Sequence, residues 1–276
     1  MRTMPRRVRT MPERARTALL LLPLAVAASG GCDLAMADYK QKETAEWRKT
    51  YELQPGGRVE ITNVSGKIDV QPSSGNSVEI VAEKSARAAS TEAAKQALER
   101  IEIQESVSPG AIRVETKLQR GSGGFFGGTN QQVHYVVRVP AGAEVKFSTV
   151  NGGIELTGLK GRINAQATNG GIKAHDVSGS IDASTTNGGV EVELTELSDA
   201  GVKLECTNGG IELRLPSSSK ATISARIVNG GIDTRGLSVE TTGAASSRHL
   251  DGRLNGGGAR VELEGVNGGI RIAARN

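Results

Sequence analysis

Aromatic residues, cysteines and histidines are scarce in this chain of 276 residues, which contains one Trp, three Tyr, three Phe, two Cys and three His. Residues 151–276 contain no Phe, Tyr or Trp, which argues against sugar binding there, because carbohydrate sites usually stack sugars on such rings. His134, His175 and His249 lack the spacing of metal ligands or of a nucleophile with its base. We therefore expect no enzyme activity, no catalytic residues, no cofactor and no metal.

The basic charge is concentrated at the N-terminus. Residues 1–31 hold six Arg and one Glu, followed within the same stretch by an apolar run from Ala18 to Ala28. A basic segment before a short apolar run is typical of a signal peptide, and 11 residues are too few to span a bilayer. Without these residues, the 34 basic and 30 acidic side chains become 28 and 29, so the chain lacks the positive surface that nucleic acid requires.

Two processing sites remain open after the leader. Ser29-Gly-Gly-Cys32 resembles the lipobox of bacterial lipoproteins, which predicts lipidation of Cys32, a membrane anchor and a linker over residues 32–49. The alternative is cleavage after Ala37, which predicts a soluble periplasmic protein. In either case Cys206 is left without a cysteine partner in the body of the chain.

Asn-Gly-Gly recurs six times in the second half of the sequence. The asparagines are Asn151, Asn169, Asn187, Asn208, Asn229 and Asn267. Apolar residues alternate with polar ones on both sides of each Asn, which predicts half-buried strands. Strands that return every 18–21 residues predict an all-β fold, a parallel β-solenoid over residues 141–276 with about 4.8 Å between coils. The last interval, 38 residues from Asn229 to Asn267, suggests two successive turns of the solenoid, the second of which is an open final coil. Residues 236–258 lack the Asn corner and suggest a loop.

The Asn-Gly-Gly motif has a structural interpretation. A solenoid corner requires positive φ, which Gly and Asn tolerate, and stacked Asn amides can hydrogen-bond from coil to coil. Calcium-binding β-rolls also have nine-residue Gly-rich repeats, but they carry an Asp that residues 151–159 lack. We interpret the six asparagines as corners.

Residues 50–140 predict a separate N-terminal β module. Val59–Val70 fits the repeat with Ser65 in the Asn position, residues 90–101 have a helical pattern capped by Ser90, and 111–139 suggest a hairpin. Within this predicted hairpin, Phe125 and Phe126 lie in a Gly-rich segment and are candidate contact residues for a protein partner or a membrane. The alternative is that this end of the hairpin folds over the mouth of the rod.

The stretches Thr91–Ile103 and Val133–Val145, followed by the Asn-Gly-Gly-Ile coils, resemble a bacterial family of β-strand-repeat proteins labelled "putative adhesins", whose function is unknown. The resemblance covers about residues 50–276. It implies an exported, non-enzymatic β-solenoid of the cell envelope, with no catalytic motif to transfer.

The sequence therefore leaves three candidate functions. The first is a lipid-anchored interaction or adhesin-like module with an envelope or surface protein as partner. The second is a periplasmic envelope-stress sensor or scaffold. The third is a polysaccharide-acting enzyme, for which the outward residues Glu155, Lys173, Glu191, Glu212 and Asp233 are the best candidates, although outward strand positions are polar in any solenoid.

Overall fold

The computed structural model describes residues 41–119, 129–242 and 246–275. Within these residues it contains nineteen strands and one helix, α1 (Thr91–Glu99). The strands are β1 (Gln41–Glu52), β2 (Arg58–Ser65), β3 (Ile68–Ser73), β4 (Ser77–Ala88), β5 (Ile101–Ser108), β6 (Ala111–Leu118), β7 (Asn130–Pro140), β8 (Glu144–Asn151), β9 (Ile154–Thr157), β10 (Ile163–Asn169), β11 (Ile172–Val177), β12 (Ile181–Asn187), β13 (Val190–Leu194), β14 (Val202–Asn208), β15 (Ile211–Pro216), β16 (Ala221–Arg235), β17 (Val239–Thr241), β18 (His249–Leu254) and β19 (Ala259–Arg275). The predicted all-β, largely parallel solenoid is confirmed.

Each coil of the solenoid consists of two strands joined at a corner. In the coils β8–β9, β10–β11, β12–β13 and β14–β15, both strands pair in parallel with their equivalents in the next coil. An earlier coil, β2–β3, places Ser65 in register with Asn151. The repeats therefore stack with equal positions in columns along the rod.

A thin core runs along the rod between the strands that precede the corners and those that follow them. Phe147 is fully buried and in register with Ile61 on one side and Ala165 on the other. Further along, Ala174 and Ala183 fill inward positions and are also fully buried. Because such small side chains bury little apolar surface, each coil is stable only against its neighbours.

The last coil of the sequence is not the last coil of the rod. β19 pairs in parallel with β14 and β15 on one side and with β16 on the other. The interpretation of the 38-residue interval as two successive turns ending in an open coil is therefore wrong. The stretch 236–258 is not a simple loop either, because β18 pairs with the first half of β16 and β17 pairs with β18, both antiparallel.

The predicted hairpin over 111–139 is also wrong. β6 pairs with β5 and β2, whereas β7 pairs with β3 and β4. The two strands thus extend different halves of the coils, β6 on the side before the corners and β7 on the side after them. Alternation had identified the buried face of each strand, but it does not specify the neighbouring strand.

The linker predicted over 32–49 is in error for its described part. Residues 41–49 belong to β1, which pairs with β4 over twelve residues. Most Lys and Glu side chains of β1 are exposed, and charged residues are typical of an edge strand.

Helix α1 lies against β1 and β4. Ser90 caps it, since its hydroxyl accepts a hydrogen bond from the Ala93 amide at 3.2 Å. Ala94 and Ala97 form its buried face, so the helix occupies Thr91–Glu99 inside the predicted segment 90–101.

The first glycine of each Asn-Gly-Gly corner lies against the neighbouring coil. Gly188 has φ +147°, and a Cβ there would be 2.3 Å from the carbonyl oxygen of Gly170. The first glycines Gly152, Gly188, Gly209, Gly230 and Gly268 have φ of 144–150°. The corner asparagines do not have positive φ, since only Asp176 and Asn255 combine a side chain with positive φ in the described part of the chain. The corner therefore requires glycine for two reasons, its dihedral angle and its lack of a Cβ.

We predict that Gly188→Ala, and more so Gly188→Val, lowers the free energy of unfolding by more than about 2 kcal/mol, because the new side chain is strained and meets backbone. The matched control is Gly189→Ala at the next position, where a Cβ would be 3.4 Å from its nearest neighbour; a loss below about 1 kcal/mol is expected there. Urea unfolding measures both values. Equal losses at the two positions would contradict the corner geometry.

Candidate functional site

A groove of about 630 Å³ runs along the strands that follow the corners. We call it the charged groove. Its floor includes the second glycine of successive corners, and one wall consists of charged side chains from the same coils. The floor glycines are Gly171, Gly189, Gly210, Gly231 and Gly269, and the wall residues are Lys173, Glu191, Glu212, Asp233 and Arg271.

The charged wall extends the row of outward residues singled out in the sequence. The strand register stacks Glu155, Lys173, Glu191, Glu212, Arg271 and Asp233 in that order. Arg271 lies between Glu212 and Asp233 only because β19 is inserted between β15 and β16. The sequence order alone would have made Glu212 and Asp233 neighbours.

The fold of the coil does not require glycine at the second glycine position of the corner. A Cβ at Gly210 would be 3.5 Å from its nearest neighbour, an ordinary contact. In the first coil, Lys67 occupies the position equivalent to Gly153, and its ammonium group is 2.7 Å from a carboxylate oxygen of Glu155. Side chains are therefore compatible with this position, and the open groove exists because later coils have glycine there.

Arginines hold the acidic residues of the wall in place. Arg214, one outward position beyond Glu212, lies 2.6 Å from Glu212 and 3.2 Å from Glu191, measured between guanidinium nitrogen and carboxylate oxygen. Arg271 approaches the other oxygen of Glu212 at 3.4 Å. Glu191 and Glu212 thus share one guanidinium group between two coils.

The network continues into the next column of outward residues. Arg275 lies 2.9 Å from Glu193 and also pairs with Asp176, and His175 lies 3.8 Å from Glu193. Through Arg271 and Arg275, the inserted strand β19 forms ion pairs with residues of β15, β13 and β11. Sequence reasoning missed the role of Arg214 and Arg275, although their outward period-two positions were visible.

The corner asparagines form a hydrogen-bonded ladder. The side-chain amide of Asn169 donates to Asn151 at 3.0 Å, and that of Asn187 donates to Asn169 at 2.8 Å. The ladder continues through Asn208, Asn267 and Asn229, with N–O distances of 2.8–2.9 Å. All six asparagines thus lie at corners, in the order of the stacked coils and not in that of the sequence.

The other predicted site residues lie elsewhere. Cys32, Phe125 and Phe126 are outside the described residues. Cys206 is buried, its thiol donates to the carbonyl oxygen of Gly188 at 3.1 Å, and burial raises the pKa of this thiol, which fits a structural cysteine. Within the described ranges, no cluster of His, Cys, Asp and Glu could hold a metal ion, and no helix is long and apolar enough to cross a membrane.

A separate ion cluster lies on the strands that precede the corners. The Glu60 carboxylate is 2.8 Å from Arg113 and 3.6 Å from Lys146. Burial opposes ionisation of Glu60, but the two cations outweigh it and lower the pKa of this carboxyl group. This cluster joins β2 to its neighbours β6 and β8.

Comparison with known proteins identifies the family. The model of the family described as Toastrack DUF4097 matches residues 58–273. The chain belongs to this family. No relative is found among curated proteins.

Solved structures similar to this Toastrack protein include a "putative cell adhesion protein" from Clostridium sporogenes. It is 13% identical, with a TM-score of 0.44, and the alignment covers 84% of this chain and all of the other. A "putative adhesin" from Bacteroides fragilis is 11% identical, with a TM-score of 0.29 and coverage of 84% and 97%. The resemblance to this family expected from the sequence is confirmed by the match over residues 58–273.

We predict that Arg214→Gln destabilises this Toastrack protein by about 1 kcal/mol, because Glu191 and Glu212 lose their shared cation while remaining partly solvated. The control is Arg162→Gln, since Arg162 is exposed and forms no ion pair with a described residue. Urea unfolding at low salt and at about 1 M salt measures both, and the loss should shrink at high salt. Equal losses in the two variants would show that the network does not stabilise the fold.

We also predict an acid sensitivity that depends on Glu60. Its folded-state pKa is lowered, so its contribution to stability is present above the ordinary Glu pKa and is lost as the pH falls through the folded value. Glu60→Gln should therefore be less stable than wild type near neutral pH, and the difference should narrow on acidification. Thermal unfolding between neutral and acidic pH measures this, and a constant difference would contradict the assignment.

Proposed function

We propose that the chain is a non-catalytic interaction module of the cell envelope, exported by its N-terminal leader and anchored through a lipid on Cys32. The observation that carries this proposal is the charged groove, whose acidic wall residues are held by arginines along several coils. Such a surface offers fixed charges and exposed backbone to a partner. The family resemblance supports the adhesin-like character of the module.

The arrangement of Glu191 and Glu212 favours contact over catalysis. A glycosidase needs one carboxyl group that donates a proton and another that acts as base or nucleophile. Here both carboxylates are hydrogen-bonded to, or within ion-pair distance of, the same guanidinium group, and a quarter to a third of each side chain is exposed. Their environments are alike, whereas acid and base roles require different ones.

The proposed partner is an envelope or surface protein. The described residues after 150 provide no ring for sugar stacking, whereas ordered charges of both signs suit a protein surface of complementary charge. Phe125 and Phe126 remain the candidate apolar contact residues of the module.

The anchor rests on the leader and on the sequence Ser29-Gly-Gly-Cys32. Only eight residues separate Cys32 from Gln41, the first residue of β1. A lipid on Cys32 would therefore hold the N-terminal module close to the membrane, since eight extended residues span at most about 28 Å.

We predict that palmitate labels the wild-type protein and that Cys32→Ala abolishes the label, because the lipid is attached to this thiol. The matched control is Cys206→Ala, which removes the other cysteine and should keep the label. Labelling in growing cells followed by immunoprecipitation measures all three. A label that survives in Cys32→Ala, or its absence from the wild type, would overturn the anchor.

Protease treatment of intact cells separates the two envelope functions. Cleavage of an epitope-tagged protein from outside supports an adhesin-like module at the surface. Protection in intact cells, with cleavage after the outer barrier is opened, supports the periplasmic sensor or scaffold. Recovery of the protein with the cytosol alone would overturn the envelope assignment.

A further inference from the structure

The C-terminal coil occupies a slot between two coils that precede it in the chain. One wall of the slot is β14 and β15, and the other is β16. Both walls are complete before residue 259, so β19 can enter only after residues 202–235 have been synthesised. It contributes a full set of inward side chains to the core, including the buried Val261, Leu263, Ile270 and Ile272.

The slot recognises a coil by its repeat frame. Val261 is in register with Val202 on one side and Ile223 on the other, and Asn267 is in register with Asn208 and Asn229. The ion pairs of Arg271 and Arg275 add charge recognition. All of these contacts are non-covalent, so the same segment of a second copy would satisfy every one of them.

The covalent link between β19 and the rest of the molecule is short and tightly turned. Four residues join Leu254 to Ala259, and three of them have positive φ: Asn255 at 50°, Gly256 at 83° and Gly257 at 89°. The Asn255 amide is held by the carbonyl oxygens of Ser217 and Ser219, each at 2.8 Å. Positive φ is unfavourable at Asn255 because this residue has a side chain, and a short, tight hinge favours domain swapping.

We propose that residues 259–275 exchange between two copies of the chain, so that each copy inserts its C-terminal coil into the slot of the other. The exchanged dimer retains all the pairings of β19 and allows the linker 255–258 to extend. While the slot is open, insertion of β19 into its own chain competes with insertion into a second copy. The fraction of exchanged dimer rises with protein concentration, because insertion into the same chain is intramolecular.

A mixed-disulfide experiment tests the exchange directly. In full-length protein with Cys32→Ser and Cys206→Ala, one preparation carries Glu212→Cys and the other Arg271→Cys. These positions face each other across β15 and β19, and paired strands are close enough for a disulfide, at about 5 Å. The two preparations are unfolded together, refolded over a range of concentrations and oxidised.

A covalent heterodimer that increases with protein concentration is the expected result. The double variant in one chain is the control, and it should form an internal disulfide. If it does and the mixture gives no heterodimer at any concentration, the proposal is overturned. If the double variant forms no internal disulfide, light scattering of the refolded wild-type chain is the deciding measurement. Dimers support exchange, and monomers at every concentration overturn it.

A second test perturbs only the hinge. A Cβ at Gly256 would meet no atom within 4 Å, so Gly256→Ala adds backbone strain without a clash. Gly75→Ala is the matched control, because Gly75 has φ +72° and equally open surroundings in the β3–β4 turn. Gly256→Ala should raise the dimer fraction after refolding several-fold over Gly75→Ala, and equal fractions would contradict the role of the hinge.

Discussion

The close contact between a corner glycine and a carbonyl group of the neighbouring coil is the constraint on which the rod depends. At Gly170 and Gly209 a Cβ would be 1.9 Å from the carbonyl oxygen of the glycine in the adjacent coil. Removing the side chain at this one position lets the two backbones approach to the spacing of a parallel sheet. The Asn ladder, the thin core and the stacked outward charges all follow from that spacing.

Because all coils have the same spacing, their order along the rod can differ from their order in the chain. Every coil presents the same frame above and below, so hydrogen bonding does not distinguish β16 from β19 as the neighbour of β14. The distinguishing contacts are side-chain contacts, among them Arg271 with Glu212 and Arg275 with Glu193. In a repeat protein, local differences of this kind select one arrangement from several that the backbone allows.

The charged groove arises where the repeat keeps glycine although the coil does not require it. The first corner glycine is required by the close backbone contact, whereas the second could carry a side chain, as Lys67 does in the first coil. Bare positions from Gly171 onward leave a groove beside a wall of paired charges. The wall contains Glu191 and Glu212, which are the best candidates for catalytic carboxylates. Arg214 pairs with both of them, and such a fixed arrangement of charges suits recognition better than catalysis.

The sequence predicted the strands of the repeat, the corners and the inward and outward faces, because alternation and glycine placement are local properties of the backbone. It also identified the outward row that includes Glu191 and Glu212. The pairing of strands is visible only in the folded chain: β6 and β7 do not pair, β1 lies along β4, and β19 lies between β15 and β16. Partner choice depends on long-range contacts between segments with interchangeable patterns, and such contacts leave no periodic signal in the chain.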